Sequence, residues 1–460
     1  MYNQPEFQSV INTRYKAPIL SKIWSPDNRV QTMRQLWIDL AIEQKNLGIK
    51  SISEEAIQEL ILNRDIIDYE KINEYEKRFK HDIMAHIHAY SDLCPKGGSI
   101  LHLGVTSNFI NDNADAILLK QSIQVLFEKT KCLIETMLKY QMKYAEIPTI
   151  AYTHLQPAQL ITIGRRFAMW SEDLHMDLQS LQNAEIPFRG AKGTVGTEDT
   201  LLKLFQGDSE KCSQLNEKIS RKYDFKNYVQ ICGQTYSRKY DVEIMHCISK
   251  VGQTIYKIMN DLRLLSGKKE VYEDFSEEQV GSSAMPYKKN PITCEKICSL
   301  CRYVINQEQS IVQTYMNQWL ERSLDDSAIK RIVFPECFLI MEHILNESIK
   351  IFSKLFFDLN YIETQVQTHM VNIVSEEIIL KGVESGYSRQ EIHERLRKLL
   401  VVPITTDSLK PMDVFMKDPI IMEIMDRFSI GFNPCDYIGR SVEQCNYRYC
   451  SPLSSLLGNS

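Results

Sequence analysis

Residues 118–144, LLKQSIQVLFEKTKCLIETMLKYQMKY, decide the fold class of this 460-residue chain. No glycine or proline occurs between Gly104 and Pro148, so a helix can run without interruption. Within the stretch, mostly apolar side chains recur at alternating steps of four and three, which is the repeat of a helix that packs in a bundle. These positions are Leu119, Ile123, Leu126, Thr130, Leu133, Met137, Tyr140 and Tyr144.

Further long helices are predicted on both sides of this stretch. Residues 30–47, 53–62 and 68–90 precede it, and residues 157–184, 241–266, 293–316 and 327–357 follow it. Long helices separated by local breaks favour an all-α bundle over alternating strands and helices. We expect an N-terminal helical domain at 1–105, a central helix bundle at 106–358 and a C-terminal helical domain of shorter helices at 359–460.

Composition narrows the class of protein. Hydrophobic residues make up 43% and charged residues 25%, as in an ordinary soluble globular protein. The net charge of −5 gives no bulk basic character that would indicate a nucleic-acid partner. The first residues, MYNQPEFQSVINTRYK, lack the apolar core of a signal peptide, and no run suits a membrane span. Twelve cysteines in this setting indicate reduced thiols, so we expect a cytoplasmic protein.

The stretch GSSAMPYKKNP, residues 281–291, is predicted to be a loop inside the central domain. Its first half is small and flexible, whereas Pro286 and Pro291 exclude a continuous helix. Lys288 and Lys289 add two positive charges. Such a segment is either a solvated connector or a mobile lid that brings a reactive group to a substrate.

Two other segments carry residue types that suit catalysis or anion binding. His154 lies in TIAYTHLQPAQ and is either a structural histidine or a general acid or base, because its pKa is nearest neutrality. In ERSLDDSAIKR, Ser327 and Arg331 are four residues apart and share a helix face, and with Arg322 they suit a phosphate. Alternatively, Ser327 is an N-cap, or the segment is a solvated charged turn.

Three patterns have competing interpretations. His81, His86 and His88 would suggest a metal site, but no cysteine or carboxylate cluster completes a ligand set. The glycines of RGAKGTVGT, residues 189–197, indicate a phosphate cradle or, more simply, a tight structural crossing. The C-x3-C-x2-C spacing at 294–301 occurs in radical-SAM iron–sulfur enzymes, but it also places three small buried side chains on one helix, which we favour.

GSSAMPYKKNP resembles the signature loop of the fumarase/aspartase superfamily, G-S-S-x-M-P-x-K-x-N-P. LHLGVTS at 101–107 and THLQPAQ at 153–159 match further segments of that superfamily in the same order. Five other segments resemble, in their residues, the animal form of the branch that acts on succinylated purine nucleotides. They are RYKAPIL, KHDIMAHIHAY, GAKGTVGT, GQTYSRKYD and ERSLDDSA. The resemblance covers nearly the whole chain and is weakest after about residue 404.

This resemblance implies an all-α, three-domain lyase whose central helices form the core of a homotetramer with shared active sites. It implies β-elimination of fumarate from adenylosuccinate, giving AMP, and from SAICAR, giving AICAR, without metal or cofactor. Phe127, Ile134 and Leu138 add apolar area beside the helical seam, which independently favours helix partners on more than one side. Alternatives are another fumarate-releasing lyase or a catalytically inactive scaffold.

The resemblance also assigns roles to residues. Ser282 corresponds to the base that removes the carbon proton, with Ser283 as its close alternative, and His154 to the acid that protonates the leaving nitrogen. Lys80 and Lys296 stand where the family commonly has arginine, so they keep the charge but lose the bidentate fork. The implied substrate-binding residues are Arg14, Tyr15, Lys80, His81, Asp82, Thr106, Ser107, Thr153, Gln234, Ser283, Lys288, Asn290, Lys296, Arg322, Ser327 and Arg331.

Overall fold

The computed structural model describes residues 8–274, 285, 287–401 and 411–446, and helices dominate it. The α-helices are α1 Val10–Thr13, α2 Leu20–Ile23, α3 Pro26–Asn46, α4 Glu54–Leu62, α5 Tyr69–Phe79, α6 Asp82–Leu93, α7 Ser107–Lys143, α8 Ile163–Gln182, α9 Asp199–Leu204, α10 Ser209–Lys222, α11 Lys239–Gly267, α12 Ile292–Met316, α13 Asp326–Ser353, α14 Leu359–Ile373, α15 Ser375–Glu384, α16 Arg389–Leu400, α17 Pro411–Phe415, α18 Pro419–Phe428 and α19 Ser441–Asn446. Two 3₁₀ turns lie at Gly97–Ile100 and Pro434–Tyr437. The strands are β1 Pro148–Thr153, β2 Gln156–Thr162, β3 Val271–Tyr272 and β4 Phe356–Phe357.

The predicted long helices are confirmed, and α7 is the longest of those described. It spans 37 residues and contains nearly all of the stretch that predicted it. Every seam position is buried except Tyr140, which is half-buried. The helices α11, α12 and α13 begin within two residues of their predicted starts, and Pro335 lies inside α13. The all-α class predicted from periodicity is therefore correct.

The predicted helix at 157–184 is wrong in its first six residues. Residues 148–162 instead form an antiparallel hairpin of β1 and β2, in which Pro148 pairs with Thr162 and Thr153 with Gln156. Because β-branched residues are frequent in both segments, they suit a pleated strand better than a helix. The helix α8 starts only at Ile163, where the hydroxyl of Thr162 accepts a hydrogen bond from Arg165 N (3.1 Å).

The predicted helix at 68–90 is two helices. Lys80 ends α5 with a left-handed backbone (φ 52°), and His81 caps α6 by accepting a hydrogen bond from Met84 N (3.4 Å). His81 therefore stands at the N-cap of α6, the helix that carries His88. The ring of His88 stacks on Phe79, with centroids 4.6 Å apart.

The chain divides into two compact units, each made of three segments. The first unit contains Met1–Thr130, Asp177–Tyr256 and Ser299–Asn346. One of its apolar clusters includes the buried rings of Trp37, Tyr90, Phe109 and Phe188. Arg34 lies 4.2 Å above the Tyr90 ring and donates to three backbone carbonyls, so even this deeply buried charge is satisfied.

The second unit contains Lys131–Met176, Lys257–Cys298 and Glu347–Ser460. Its core holds an aromatic cluster in which the Phe167 ring contacts Tyr140, Trp170, Phe352 and Phe357 at centroid distances of 5.2–6.0 Å. The short pairing of β3 with β4 closes one side of this unit. The division into three domains at residues 105 and 358 stays a prediction.

The cysteines of the C-x3-C-x2-C pattern lie on the regular helix α12, and Cys294, Cys298 and Cys301 are all buried. Among the described residues, no group of three or more histidine, cysteine, aspartate or glutamate side chains is arranged to hold a metal ion. In the part of the chain that the structure describes, no helix is both long enough and apolar enough to cross a membrane.

The glycine-rich segment at 189–197 is a close crossing of backbone. Gly190 and Gly196 both have left-handed backbones, with φ of 74° and 89°. A Cβ on Gly196 would lie 1.8 Å from the carbonyl oxygen of Cys232, and one on Gly190 would lie 2.5 Å from Asn216 Oδ1. Only glycine fits these two positions, which supports the structural interpretation of the motif.

Candidate active site

A cavity of about 440 Å³ in the first unit collects four of the predicted site residues. Asp82 reaches it from the start of α6, and Arg322, Ser327 and Arg331 reach it from the loop before α13 and from the first turns of that helix. Ser327 and Arg331 share a face of α13 and line the same cavity, as their spacing predicted. Because α13 begins at Asp326, Ser327 lies inside the helix and is not its N-cap.

The cations that line the cavity are already paired with carboxylates. Arg331 forms an ion pair with Asp82, and Arg322 Nη1 donates to Asp326 Oδ1 (2.7 Å). Burial opposes the charge of Asp82, but the hydrogen bond from Ile83 N and the nearby Arg331 together lower its pKa. The Arg331 side chain is more than half exposed, so a ligand can reach its guanidinium group from solvent.

Behind these residues lies a buried ion network that was not predicted from the sequence. Arg238 Nη2 contacts Asp112 (2.9 Å) and Asp326 (2.6 Å), and its Nε lies 3.8 Å from Asp241. Lys330 lies 3.0 Å from Asp241 and donates to the hydroxyl of the buried Tyr236 (2.8 Å). Desolvation lowers the pKa of a buried arginine, but the surrounding aspartates outweigh it and raise the pKa of Arg238 well above its ordinary value.

The network connects directly to the predicted substrate contacts. Asp326 accepts from both Arg238 and Arg322, so the position of Arg322 depends on Arg238. Three members of the network, Tyr236, Arg238 and Asp241, stand in GQTYSRKYD, which carried the resemblance but had received a role only at Gln234. That motif was the sequence signal from which these three residues could have been identified. No sequence pattern, in contrast, indicates that Arg238 pairs with Asp112.

The other predicted residues of the first unit lie outside the set that lines this cavity. Gln234 accepts from Asn108 Nδ2 (3.2 Å), and its backbone nitrogen donates to the carbonyl of Glu321, next to Arg322. The hydroxyl of Thr106, just before Ser107 at the start of α7, is buried and has no hydrogen-bond partner among the described residues. A ligand that donates or accepts there would satisfy it.

Four further predicted residues of the first unit also lie outside the cavity lining. Arg14, Lys80 and His81 are exposed. The ring of Tyr15 is half-buried and lies 5.3 Å from the ring of His343.

His86 is a cavity residue to which no substrate role had been given. It lies one turn after Asp82 on α6, and its Nδ1 is buried with no hydrogen-bond partner among the described residues. Burial lowers the pKa of His86 to about 4, and the charge of Asp82 offsets this only in part. The imidazole is therefore neutral near pH 7 and presents one donor and one acceptor.

In the second unit, His154 occupies the tip of the β1–β2 hairpin. His154 and Leu155 form its two-residue turn, and both have left-handed backbones with φ of 53° and 62°. Two consecutive positive φ angles are typical of a type I′ turn, which ordinarily contains asparagine and glycine. The neighbouring Thr153 and the His154 side chain are exposed, so the histidine is accessible from solvent.

Of the signature loop, Ser282 and Ser283 lie outside the described residues. Lys288 is exposed and Asn290 is half-buried. Lys296, on the first turns of α12, donates to Glu347 Oε2 (2.5 Å). Burial opposes ionisation of Glu347, but hydrogen bonds from Lys296 and Lys350 lower its pKa to about 2. Lys296 is therefore held by a carboxylate of its own unit.

The two sides of the signature loop are joined at its base. Glu273, at the end of β3, accepts hydrogen bonds from the backbone nitrogens of Thr293 (3.1 Å) and Cys294 (2.7 Å) at the start of α12. A carboxylate at a helix N-terminus satisfies unpaired N–H groups and is favoured by the helix dipole. These two hydrogen bonds hold the residue before the signature loop against the residues after it.

Comparisons with known proteins bear on the family and the fold. Residues 34–306 match the protein-family model described as Lyase. The chain is 42% identical over 448 residues to the adenylosuccinate lyase of Schistosoma mansoni, covering 95% of this chain and 93% of that protein. It is 36% identical to the adenylosuccinate lyase of Saccharomyces cerevisiae, covering 96% and 94%. The crystal structure of 3-carboxy-cis,cis-muconate lactonizing enzyme from Pseudomonas putida matches with a TM-score of 0.83 at 19% identity, over 98% of this chain and all of that one.

Proposed function

We propose, from the premise that this chain belongs to the adenylosuccinate lyase family, that it releases fumarate from adenylosuccinate to give AMP and from SAICAR to give AICAR. The observation that carries this is the near full-length match to relatives of that name, at 36–42% identity. The motif residues His154, Ser282 and Lys288 are all present in the chain, which favours an active lyase over an inactive scaffold.

In the proposed reaction, Ser282 removes the proton from the succinyl carbon next to a carboxylate. The electrons of that C–H bond form the new double bond as the C–N bond breaks, and His154 gives a proton to the departing nitrogen. Negative charge builds on the neighbouring carboxylate, where Lys288 and Asn290 are proposed to stabilise it. A serine hydroxyl is a weak base, so its alkoxide form needs stabilisation from the surrounding site.

The cavity of the first unit is proposed to hold anionic groups of the substrate. Arg322, Ser327 and Arg331 line it, and Arg331 is already held in place by Asp82. A phosphate or carboxylate that binds Arg331 would either share this arginine with Asp82 or displace Asp82 from it. In the free enzyme, Asp82 keeps the arginine oriented. The hydroxyl of Ser327 adds a donor on the same face of α13.

We further propose a homotetramer whose active sites combine residues of several chains. Supporting this, α7 is 37 residues long and carries a continuous apolar seam. In addition, Phe127 and Leu138 on α7 remain only half-buried, and Met169 and Met176 on α8 are exposed. Long helices with apolar side chains left in solvent favour association with further helices.

The test is a fumarate-release assay on the purified protein with each substrate, with and without EDTA. We expect activity on both substrates that EDTA does not change; loss of activity on chelation would contradict the cofactor-free mechanism. His154→Ala and Ser282→Ala should each lower kcat by at least about 10²-fold, and Ser283→Ala by less. His393→Ala, at an exposed histidine of α16, is the matched control and should keep the parent rate.

The same variants test the shared site. Sizing and light scattering should show a homotetramer, and the two inactive variants should regain activity when mixed and allowed to exchange subunits. An active monomer, or exchange without recovery, would refute sites shared between chains. Full activity of both Ser282→Ala and Ser283→Ala would instead remove the loop from the role of base.

A further inference from the structure

The hairpin that carries His154 is tied to a buried carboxylate on a different segment of the second unit. Glu270 is the third residue after the end of α11, immediately precedes β3, and is only 3% exposed. It accepts a hydrogen bond from the Tyr152 hydroxyl (2.5 Å) and a longer one from the Thr149 hydroxyl (3.4 Å). Both donors lie on β1, and Tyr152 is two residues from His154.

Arg166, on α8, completes this group, which we call the Glu270 cluster: Thr149, Tyr152, Arg166 and Glu270. One nitrogen of Arg166 lies 3.7 Å from Glu270 Oε2, and another donates to the carbonyl of Ile150 (2.7 Å). Strand β1 is therefore held both by its backbone and by two side chains. The pairing of β1 with β2 is irregular between Ile150 and Tyr152, so these contacts support the strand where its ladder is interrupted.

The turn beyond this irregularity needs such support. For residues other than glycine, a left-handed backbone costs about 1–2 kcal/mol per residue, and His154 and Leu155 adopt it in succession. Both residues of the turn are exposed, so we expect the strands that flank it to hold its backbone. A strained conformation persists only when the surrounding structure fixes it.

We propose that the Glu270 cluster positions His154, holding β1 so that the two-residue turn keeps its left-handed backbone and directs the imidazole to the substrate. This rests on the proposed role of His154 as the general acid. None of the cluster residues is proposed to touch the substrate, so they act through the turn. Glu270 is also three residues before Glu273, which fixes the base of the signature loop, so one short segment secures both elements.

Two substitutions test the proposal with little change in shape. Tyr152→Phe removes the hydroxyl that donates to Glu270. Glu270→Gln removes the negative charge that accepts from Tyr152 and pairs with Arg166. We expect each to lower kcat for adenylosuccinate roughly 10- to 100-fold, because a small misplacement of a catalytic group has an effect of that size. KM should change less than about threefold, since the anion-binding cavity of the first unit is untouched.

The matched control is Tyr303→Phe. The Tyr303 hydroxyl also donates to a glutamate, Glu336, at 2.5 Å, but within the first unit. It should lose a comparable hydrogen bond without the fall in kcat. If Tyr152→Phe and a folded Glu270→Gln both kept the parent kcat while His154→Ala lost it, the positioning proposal would be wrong. If His154→Ala kept its rate, the proposed acid itself would be wrong.

Subunit exchange separates positioning from general damage. Tyr152→Phe should recover activity when mixed with Ser282→Ala, which supplies an intact hairpin, but not when mixed with His154→Ala, which does not. Recovery with both partners would overturn the assignment to the hairpin, and so would recovery with neither when His154→Ala and Ser282→Ala complement each other. Should Glu270→Gln fail to fold by circular dichroism, Tyr152→Phe decides the question alone.

Discussion

The cavity of the first unit and the His154 turn of the second hold their functional side chains in opposite ways. Around the cavity, Arg238 and Lys330 are almost fully buried, and each is surrounded by aspartates that compensate its charge. At the turn, His154 is exposed, and its position follows from backbone geometry that the sequence does not favour. The comparison teaches that the cavity depends on charge balance, whereas the turn depends on its anchoring strand.

The largest expected effect is at the centre of the charge network. Arg238→Met leaves Asp112 and Asp326 without their shared cation, and losing one partner of a buried ion pair costs about 3–5 kcal/mol of unfolding free energy. Denaturant unfolding measures this. Arg221→Met is the control, since Arg221 forms an exposed pair with Glu217 and should cost less than about 1 kcal/mol. Equal small losses would show that the buried network does not support the first unit.

The pH dependence of stability gives a second test in the first unit. Burial, helped by nearby His81, lowers the pKa of His102 to about 4, and Trp37 Nε1 donates to its Nδ1 (2.9 Å), which requires a neutral ring. The unfolded chain, with a histidine pKa near 6.5, therefore binds a proton that the folded chain does not. This stabilising contribution is complete above about pH 6.5 and is lost as the pH falls to about 4, amounting to about 3 kcal/mol.

His102→Asn should flatten the loss of unfolding free energy between pH 6.5 and 4. Asparagine tolerates the left-handed backbone of this position (φ 64°) and keeps an acceptor for Trp37. His393→Asn, at an exposed site of α16, should leave the slope unchanged. An unchanged slope for His102→Asn would mean that His102 does not titrate differently in the folded and unfolded chains.

A third prediction concerns the base of the hairpin in the second unit. A Cβ on Gly164 would lie 2.3 Å from the carbonyl oxygen of Gln141 and 2.7 Å from Ala145 Cα. Gly164→Ala should therefore lower the unfolding free energy by about 1–3 kcal/mol, as overpacking does. Gly267→Ala is the control, because among the described residues no heavy atom outside its own stretch of helix lies within 4 Å of the added carbon. Melting temperatures that fall equally for both would contradict the close approach at Gly164.

The smallest effect is expected at the turn itself. Leu155 is 61% exposed and has a left-handed backbone, so Leu155→Gly removes strain and little packing. The melting temperature should rise slightly, by less than the equivalent of about 1 kcal/mol, whereas Leu155→Val should lower it because a β-branched residue suits positive φ poorly. If glycine and valine had the same effect, the turn would not be strained.

The sequence predicted what depends on local periodicity. The seam of α7 repeats every three to four residues over seven turns, so it was recognisable without any tertiary contact. The hairpin at 148–162 was missed because residues 157–184 were predicted to form one continuous helix. Its turn also lacks the asparagine or glycine that ordinarily announces a two-residue loop.

The candidate site was predicted only through motifs. Ser327 and Arg331 were found because four residues is about one helical turn, Arg322 because it lies in the same charged segment, and the resemblance supplied Asp82. The pairing of Arg238 with Asp112 joins residues 126 positions apart, and His86 lines the cavity through the packing of α6. Such contacts are set by the tertiary fold, so residue types and spacing alone do not reveal them.

The capping of α12 by Glu273 has a consequence for thiol chemistry. Cys294 is the third residue of α12 and only 1% exposed, and burial together with the nearby Glu273 raises the pKa of its thiol. Only a thiolate reacts readily with alkylating reagents, so the folded protein should protect this cysteine. The rate at which Cys294 is alkylated therefore reports how often the base of the loop opens. Mass spectrometry would measure this rate on the parent protein, without an introduced cysteine.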